Sequence, residues 1–213
     1  MVDIDEVRTR FRDECLTAFS ADGFKYFKKR EAFRRKASSE FEHLAHFRVV
    51  KTSRVLIEPS FSIRQLEVEG TFHEAMGTAK KFADMTSVLW PHAATLVPDA
   101  GEEIVFQVDS EESVVDGARA FAAIYRDYAR TFFELRSSLD EIDRILNGAP
   151  LEPCAYQPSL LHRCSFGAVV ALMLHGKENA AATVEAHRNV LATLNDGFYL
   201  PKFDRVVDAV LFA

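Results

Sequence analysis

The chain has 213 residues, 48% of them hydrophobic and 27% charged, with a formal net charge of −6. That balance excludes a disordered chain and supplies enough apolar mass for one sizeable core. No run of about 18 apolar residues occurs, the opening MVDIDEVRTRFRDE lacks the apolar stretch of a secretory signal, and the odd set Cys15, Cys154 and Cys164 argues against a disulfide framework, so a soluble cytosolic protein is expected.

Residues Asp3 to Ala21 place Ile4, Val7, Phe11, Cys15, Leu16 and Phe19 on one stripe, which predicts an amphipathic helix. Asp3 is placed to cap it, with Glu6 completing a capping box, and Gly23 to end it. Phe24 to Lys36 is expected to supply the first strand or two of a sheet. The period then becomes two. In Phe41 to Val50 the odd positions are Phe41, His43, Ala45, Phe47 and Val49; in Val55 to Leu66 they include Val55, Ile57, Phe61 and Ile63. Such alternation predicts strands with one wet face, joined as an antiparallel hairpin by Lys51-Thr52-Ser53, with Pro59 at an edge or bulge.

Phe72 to Leu89 reads as a loop and short helix stopped at Trp90-Pro91, and Glu102 to Val108 as a further strand. Helix is expected from about Ser113 to Leu146, with a break near Arg130 and Thr131 and a stop at Gly148-Ala149-Pro150. After the proline-rich connector 151–158, Ser159 to His175 and Lys177 to Leu194 read as two antiparallel helices hinged at Gly176. The fold class expected is α+β: an antiparallel sheet of four to five strands packed against helices on one face, spanning residues 1–149, followed by a C-terminal helix pair in 150–213. Eighteen phenylalanines against one tryptophan and five tyrosines imply a Phe-rich core.

Glycine-rich phosphate loops, the GxSxG elbow and zinc-protease spacing are all absent from the sequence. Cys154, His162 and Cys164 stand in a CX7HXC spacing that is one ligand short of a tetrahedral site unless His175 joins, and the structural reading, with no metal and no cofactor, is preferred. His43 is expected as a satisfied core histidine. His46 falls on the opposite face with Arg48, near Glu58 or Ser60, but nothing in the sequence supplies a third group to orient it as a base.

The stretch GFKYFKKREAFRRK, residues Gly23 to Lys36, holds seven Lys or Arg among fourteen residues. From Asp22 to Arg54 ten cations face four acids, a local charge of +6 that leaves −12 on the remainder. Three readings compete: a solvated or edge-protecting strand face, a docking face for a protein, and a nucleic-acid or phosphate site in which interleaved aromatics stack on bases. Lys28, Arg30, Arg34, Arg35, Arg48 and Arg64 are the candidate contact residues.

The amphipathic helix ending in GFKYFKKREAFRR, the pair FEHLAHFRVV and VLIEPSFSIRQLEV, then VFQVDSEES and TFFELRSSLDEIDRIL together resemble the domain-of-unknown-function family 4304, found mostly in bacteria, over about Asp3 to Asn147. The loop from Thr71 to Gly101 departs from that pattern. The resemblance implies an α+β fold without established enzymology. Proteins of this build and size include cytosolic immunity proteins that neutralise bacterial toxins, an analogy of fold that leaves function to be argued from the site. The expectation is therefore a non-catalytic protein-binding protein, its oligomeric state left open by the sequence, with a nucleic-acid or phosphate-binding module as the alternative.

Overall fold

The alternating stretches become two eleven-residue strands in the computed structural model, which describes residues 3–212. In chain order the elements are α1 (Ile4–Ala21), β1 (Lys25–Phe27), β2 (Ala32–Lys36), β3 (Phe41–Lys51), β4 (Val55–Gln65), α2 (Leu66–Ala75), α3 (Ala93–Leu96), β5 (Phe106–Val108), α4 (Glu111–Ile124), α5 (Arg130–Arg136), α6 (Leu139–Asn147), α7 (Leu160–Thr193) and α8 (Leu200–Leu211). The fold is α+β, with one antiparallel sheet in the order β1-β2-β3-β4-β5. Contacts divide the chain into two compact units, each discontinuous in sequence: Met1–Ser62 with Pro91–Glu134, and Ile63–Trp90 with Leu135–Ala213.

The first unit is organised by rings. Asp3 caps α1, its side chain accepting from the Asp5 N–H at 2.8 Å. Register pairs Tyr26 with Phe33 and Phe33 with Ala45 on one face of the sheet, and Lys25 with Arg34 and Arg34 with Leu44 on the other. Helices α1 and α4 pack together, and rings link helices to strands. Phe11 lies 4.9 Å from Phe47, Phe19 stacks on Phe33 at 4.6 Å and 7°, and Phe61 meets Phe121 at 5.3 Å. Each such buried side chain contributes on the order of 1.5–3 kcal/mol by leaving water. Gly117 keeps α4 close to β5: a Cβ there would lie 3.2 Å from that of Phe106.

The long helix expected from Ser113 to Leu146 differs from the observed one. A π-helical turn at Tyr125–Ala129 joins α4 to α5 without a break. The interruption comes at Ser137-Ser138, where the Ser138 hydroxyl accepts from the Glu141 N–H and starts α6. A serine three residues before a glutamate is a helix-start signal, and here it outweighs the β-branched Thr131.

In the second unit, α2 begins where β4 stops, its entry capped by the Gln65 side chain accepting from the Val68 N–H at 2.7 Å. Helix was expected later, within 72–89. Gly70 hid the pattern of Val68, Glu69, Phe72 and His73, all buried on one side. The hinge at Gly176 is present, with φ 73° and ψ 171° inside α7, a conformation open to glycine at no steric cost. The two arms of α7 meet at Gly167 and His187, where a Cβ on the glycine would sit 2.7 Å from the imidazole Nε2. A third helix, α8, packs Phe203 and Val207 into the cluster of Cys164, Ala168, Val184 and Leu191.

Candidate functional site

The cationic stretch folds as β1, a 3-10 turn over Lys28–Arg30, and β2. Glu31, at φ 48°, ends the turn and returns its N–H to the Lys28 carbonyl. The six candidate residues do not share one exposed face. Adjacent residues of a strand point to opposite sides, so Arg34 and Arg35 part company. Arg34 stays on the face of Lys25, its guanidinium 4.3 Å from the centre of the Phe27 ring and 3.7 Å from Glu42. Arg35 turns to the ring-packed face, where Nη2 donates to His43 Nδ1 at 3.0 Å and Nη1 to the Asp22 carbonyl at 3.3 Å, over the Phe24 ring.

Arg30 and Arg64 are buried, at 8% and 7% exposure. Arg30 puts its charge beside His46, and Arg64 belongs to the second unit, where Nε donates to Glu69 at 2.8 Å. Lys28 is exposed in the turn. Arg48, with 72% of its side chain exposed, pairs with Glu58 at 3.0 Å. What remains together is a strip on one face of β1–β3, made of Lys25, Arg34, Lys36 and Arg48, with Lys28 in the adjoining turn. Of the four aromatics in the stretch, only Phe27 shares that face, half-buried under Arg34; Phe24 and Phe33 are buried, and Tyr26 pairs with Phe33 on the other face.

His43 is a core histidine, stacked flat on Phe133 at 4.4 Å. Burial, with the Arg35 charge adding to it, pushes its pKa down to about 4. His46 is buried as well, contrary to the wet face that alternation predicts. Its Nε2 lies 2.7 Å from Ser62 Oγ, and the ring also makes a hydrogen bond with the backbone of Arg30. Burial and the neighbouring Arg30 charge hold it well below the ordinary histidine range. A hydroxyl against an oriented neutral imidazole has the form of a nucleophile and its base. Ser62, however, has no exposed surface, so the pair acts in packing.

Cys154, His162 and Cys164 are used separately. Cys154 Sγ lies 3.8 Å from the Ile145 carbonyl, His162 stacks on Phe166 at 5.4 Å, and Cys164 is buried in the apolar cluster, where desolvation pushes its thiol up to about 11. Among the described residues no group of three or more His, Cys, Asp or Glu is arranged to hold a metal ion.

Two buried polar networks of the second unit escape sequence reasoning, since their members are distant in the chain. Glu69, at 1% exposure, accepts from Arg64 Nε, from the Thr86 hydroxyl at 3.1 Å and from the Val88 N–H at 3.1 Å. With its proton committed to the carboxylate, Thr86 takes a hydrogen bond from His73 Nε2 at 2.8 Å. In the other network Asn147 donates to Asp143 at 2.7 Å and to the Gly167 carbonyl at 2.9 Å, and accepts from His187 Nε2 at 2.6 Å. An open groove of about 650 Å³ in the first unit, lined by Asp3, Asp5, Glu6 and Glu111 at the starts of α1 and α4 and by Arg10 and Asp13 further along α1, has more acids than bases, opposite to the cationic strip.

Among the described residues no helix is long and apolar enough to cross a membrane. Comparison of the chain with protein-family models, with curated proteins and with solved structures finds no match.

Proposed function

We propose that the protein is a non-catalytic protein-binding protein of the cytosol, in its most concrete form a toxin-immunity protein, and that it docks its partner on the cationic strip of β1–β3. The observation that carries this reading is that Lys25, Arg34, Lys36 and Arg48 lie on the same side of β1–β3, around the buried Leu44 and His46, while Tyr26, Phe33 and Phe47 pack the other way. A planar guanidinium matches a carboxylate in two-pronged fashion, and Arg34, already spread over the Phe27 ring, loses little freedom on pairing. The Arg48–Glu58 pair is largely exposed on the arginine side, so exchanging it for a partner's carboxylate costs little. The immunity form rests on the resemblance in the order of parts to family 4304 and on the size and build of such proteins.

The same strip supports nucleic acid less well. A single-strand site stacks successive bases on successive rings, and here one half-buried ring shares the face with the cations.

Reversal of Arg34, Lys36 and Arg48 to Glu tests the reading. The triple variant melts within a few degrees of the wild type and loses the partner that the wild type retains from a host lysate. Equal retention of that partner by both proteins removes the strip from consideration. Binding to oligonucleotides that falls with salt at about one log-log unit per phosphate contact would transfer the strip to the nucleic-acid reading.

A further inference from the structure

We infer that residues 77–88 of the second unit form a preformed docking loop, and that Phe82 at its tip enters an apolar, acid-rimmed pocket on a protein partner. The loop is a run of turns held by its own backbone: the Phe82 N–H donates to the Ala79 carbonyl at 2.8 Å and the Met85 N–H to that of Phe82 at 3.0 Å. It is fastened from beneath by buried side chains. Glu69 takes the Thr86 hydroxyl and the Val88 N–H, Gln157 Nε2 donates to the Ser87 and Val88 carbonyls at 2.8 and 3.0 Å, and Arg64 reaches the Ala83 carbonyl at 3.4 Å.

So heavily fastened a loop nonetheless shows large apolar groups to solvent. Phe82 is 54% and Met85 42% exposed. Burial of Ser87 and Val88 anchors the end of the loop, but Phe82 and Met85 gain no such burial. Holding an aromatic side chain in place before contact lowers the entropy lost on binding, and aromatic anchors of this kind dominate interface energetics. Lys80 and Lys81 are exposed beside the ring, Lys81 Nζ lying 4.9 Å from its centre, while Asp84, the loop's acid, is half-buried. Charge complementarity then requires acids around the receiving pocket. Two lysines and two apolar side chains are too few for stable hold on a bilayer, where even one acyl chain binds marginally, so a protein is the favoured occupant.

The inference rests on the protein-binding reading but on a different surface, and the experiment separates the two. p-Benzoylphenylalanine replaces Phe82 in the full chain, the protein is irradiated in its host, and the cross-linked peptide is identified by mass spectrometry. The expected adduct joins position 82 to an apolar residue flanked by Asp or Glu in another protein. It falls at least tenfold with Lys80→Glu and Lys81→Glu, and it persists with Arg34→Glu and Lys36→Glu. An adduct to lipid, to a second copy of the chain or to a pocket without acids overturns the inference. So does one that survives lysine reversal or vanishes with the strand variants, and so does no adduct at all. Failure of the protein-binding reading itself is recognised separately, by wild-type protein that retains no partner from lysate.

Discussion

The two units bury side chains in different proportions: among the described residues the first holds the buried polar groups Arg30, His43, His46 and Ser62, and the second holds more of them. The first fits rings to rings: Phe19 touches Phe24, Phe33, Phe121 and Tyr125, all through apolar faces, and the Tyr125 hydroxyl is satisfied at the margin by Asp22 at 2.6 Å. The second inserts charged and polar groups into its interior, Glu69 with Arg64 and His187 with Asn147, and hangs several chain segments on each. A ring core tolerates exchange of one apolar shape for another, whereas a buried polar group must keep its partners or leave an unsatisfied atom in a medium of low dielectric. The contrast therefore predicts unequal sensitivity to conservative change.

The largest effect should follow Glu69→Gln, which removes the buried carboxylate that Arg64, the Thr86 hydroxyl and the Val88 N–H share. A loss of about 3–5 kcal/mol is expected in the second unit. Urea unfolding followed by Trp90, the single tryptophan, which lies in that unit, reads it directly.

Acid comes next. Burial and the nearby Arg163 push His187 down to about 4, against 6.5 when exposed. As pH falls below 6.5 the unfolded chain takes up a proton that the folded imidazole refuses, so stability present above 6.5 is lost progressively towards 4, by about 3 kcal/mol. His187→Gln keeps a donor for Asn147 and removes the titration. Its Trp90-detected stability should be the flatter of the two across that window, and equal slopes would show that His187 does not govern the acid response.

Gly167→Ala should cost about 2 kcal/mol, since the new methyl collides with Asn147 Oδ1 and meets His187 Nε2 at 2.7 Å. In the first unit Phe121→Leu should cost only about 1 kcal/mol, because the surrounding rings can shift to meet a smaller apolar group. A larger loss for Phe121→Leu than for Gly167→Ala, each measured by urea unfolding, would reverse the contrast.

Legibility in the sequence followed the same division. The helix of Asp3 to Ala21, the hairpin of residues 41–66 and the hinge at Gly176 are written in local pattern and were read from it. The Phe-rich face was read too, because period-two alternation names the residues that share a side. What failed was inference about the opposite side. Alternation makes Leu44, His46, Ser62 and Arg64 co-facial but does not say whether water reaches them, and all four are buried. Clustering in sequence also misled: Arg34 and Arg35 are neighbours in the chain and on opposite faces of the strand. The polar networks could not be foreseen, since Gln157 reaches Val88 across 69 positions and His187 reaches Asn147 across 40.

The interleaving of the two units also sets an order of assembly during synthesis. All segments of the first unit are present once residue 134 has emerged, whereas residues 63–90 must wait for the chain from 135 onward. At ribosomal speeds of about 5–20 residues per second that delay is several seconds, long against the folding of a small domain. Throughout it Val68, Phe72, Val88 and Leu89, all buried in the finished protein, lack their later neighbours on the nascent chain. The early-made segment 63–90 is thus the stretch on which a ribosome-associated chaperone would find its apolar handhold.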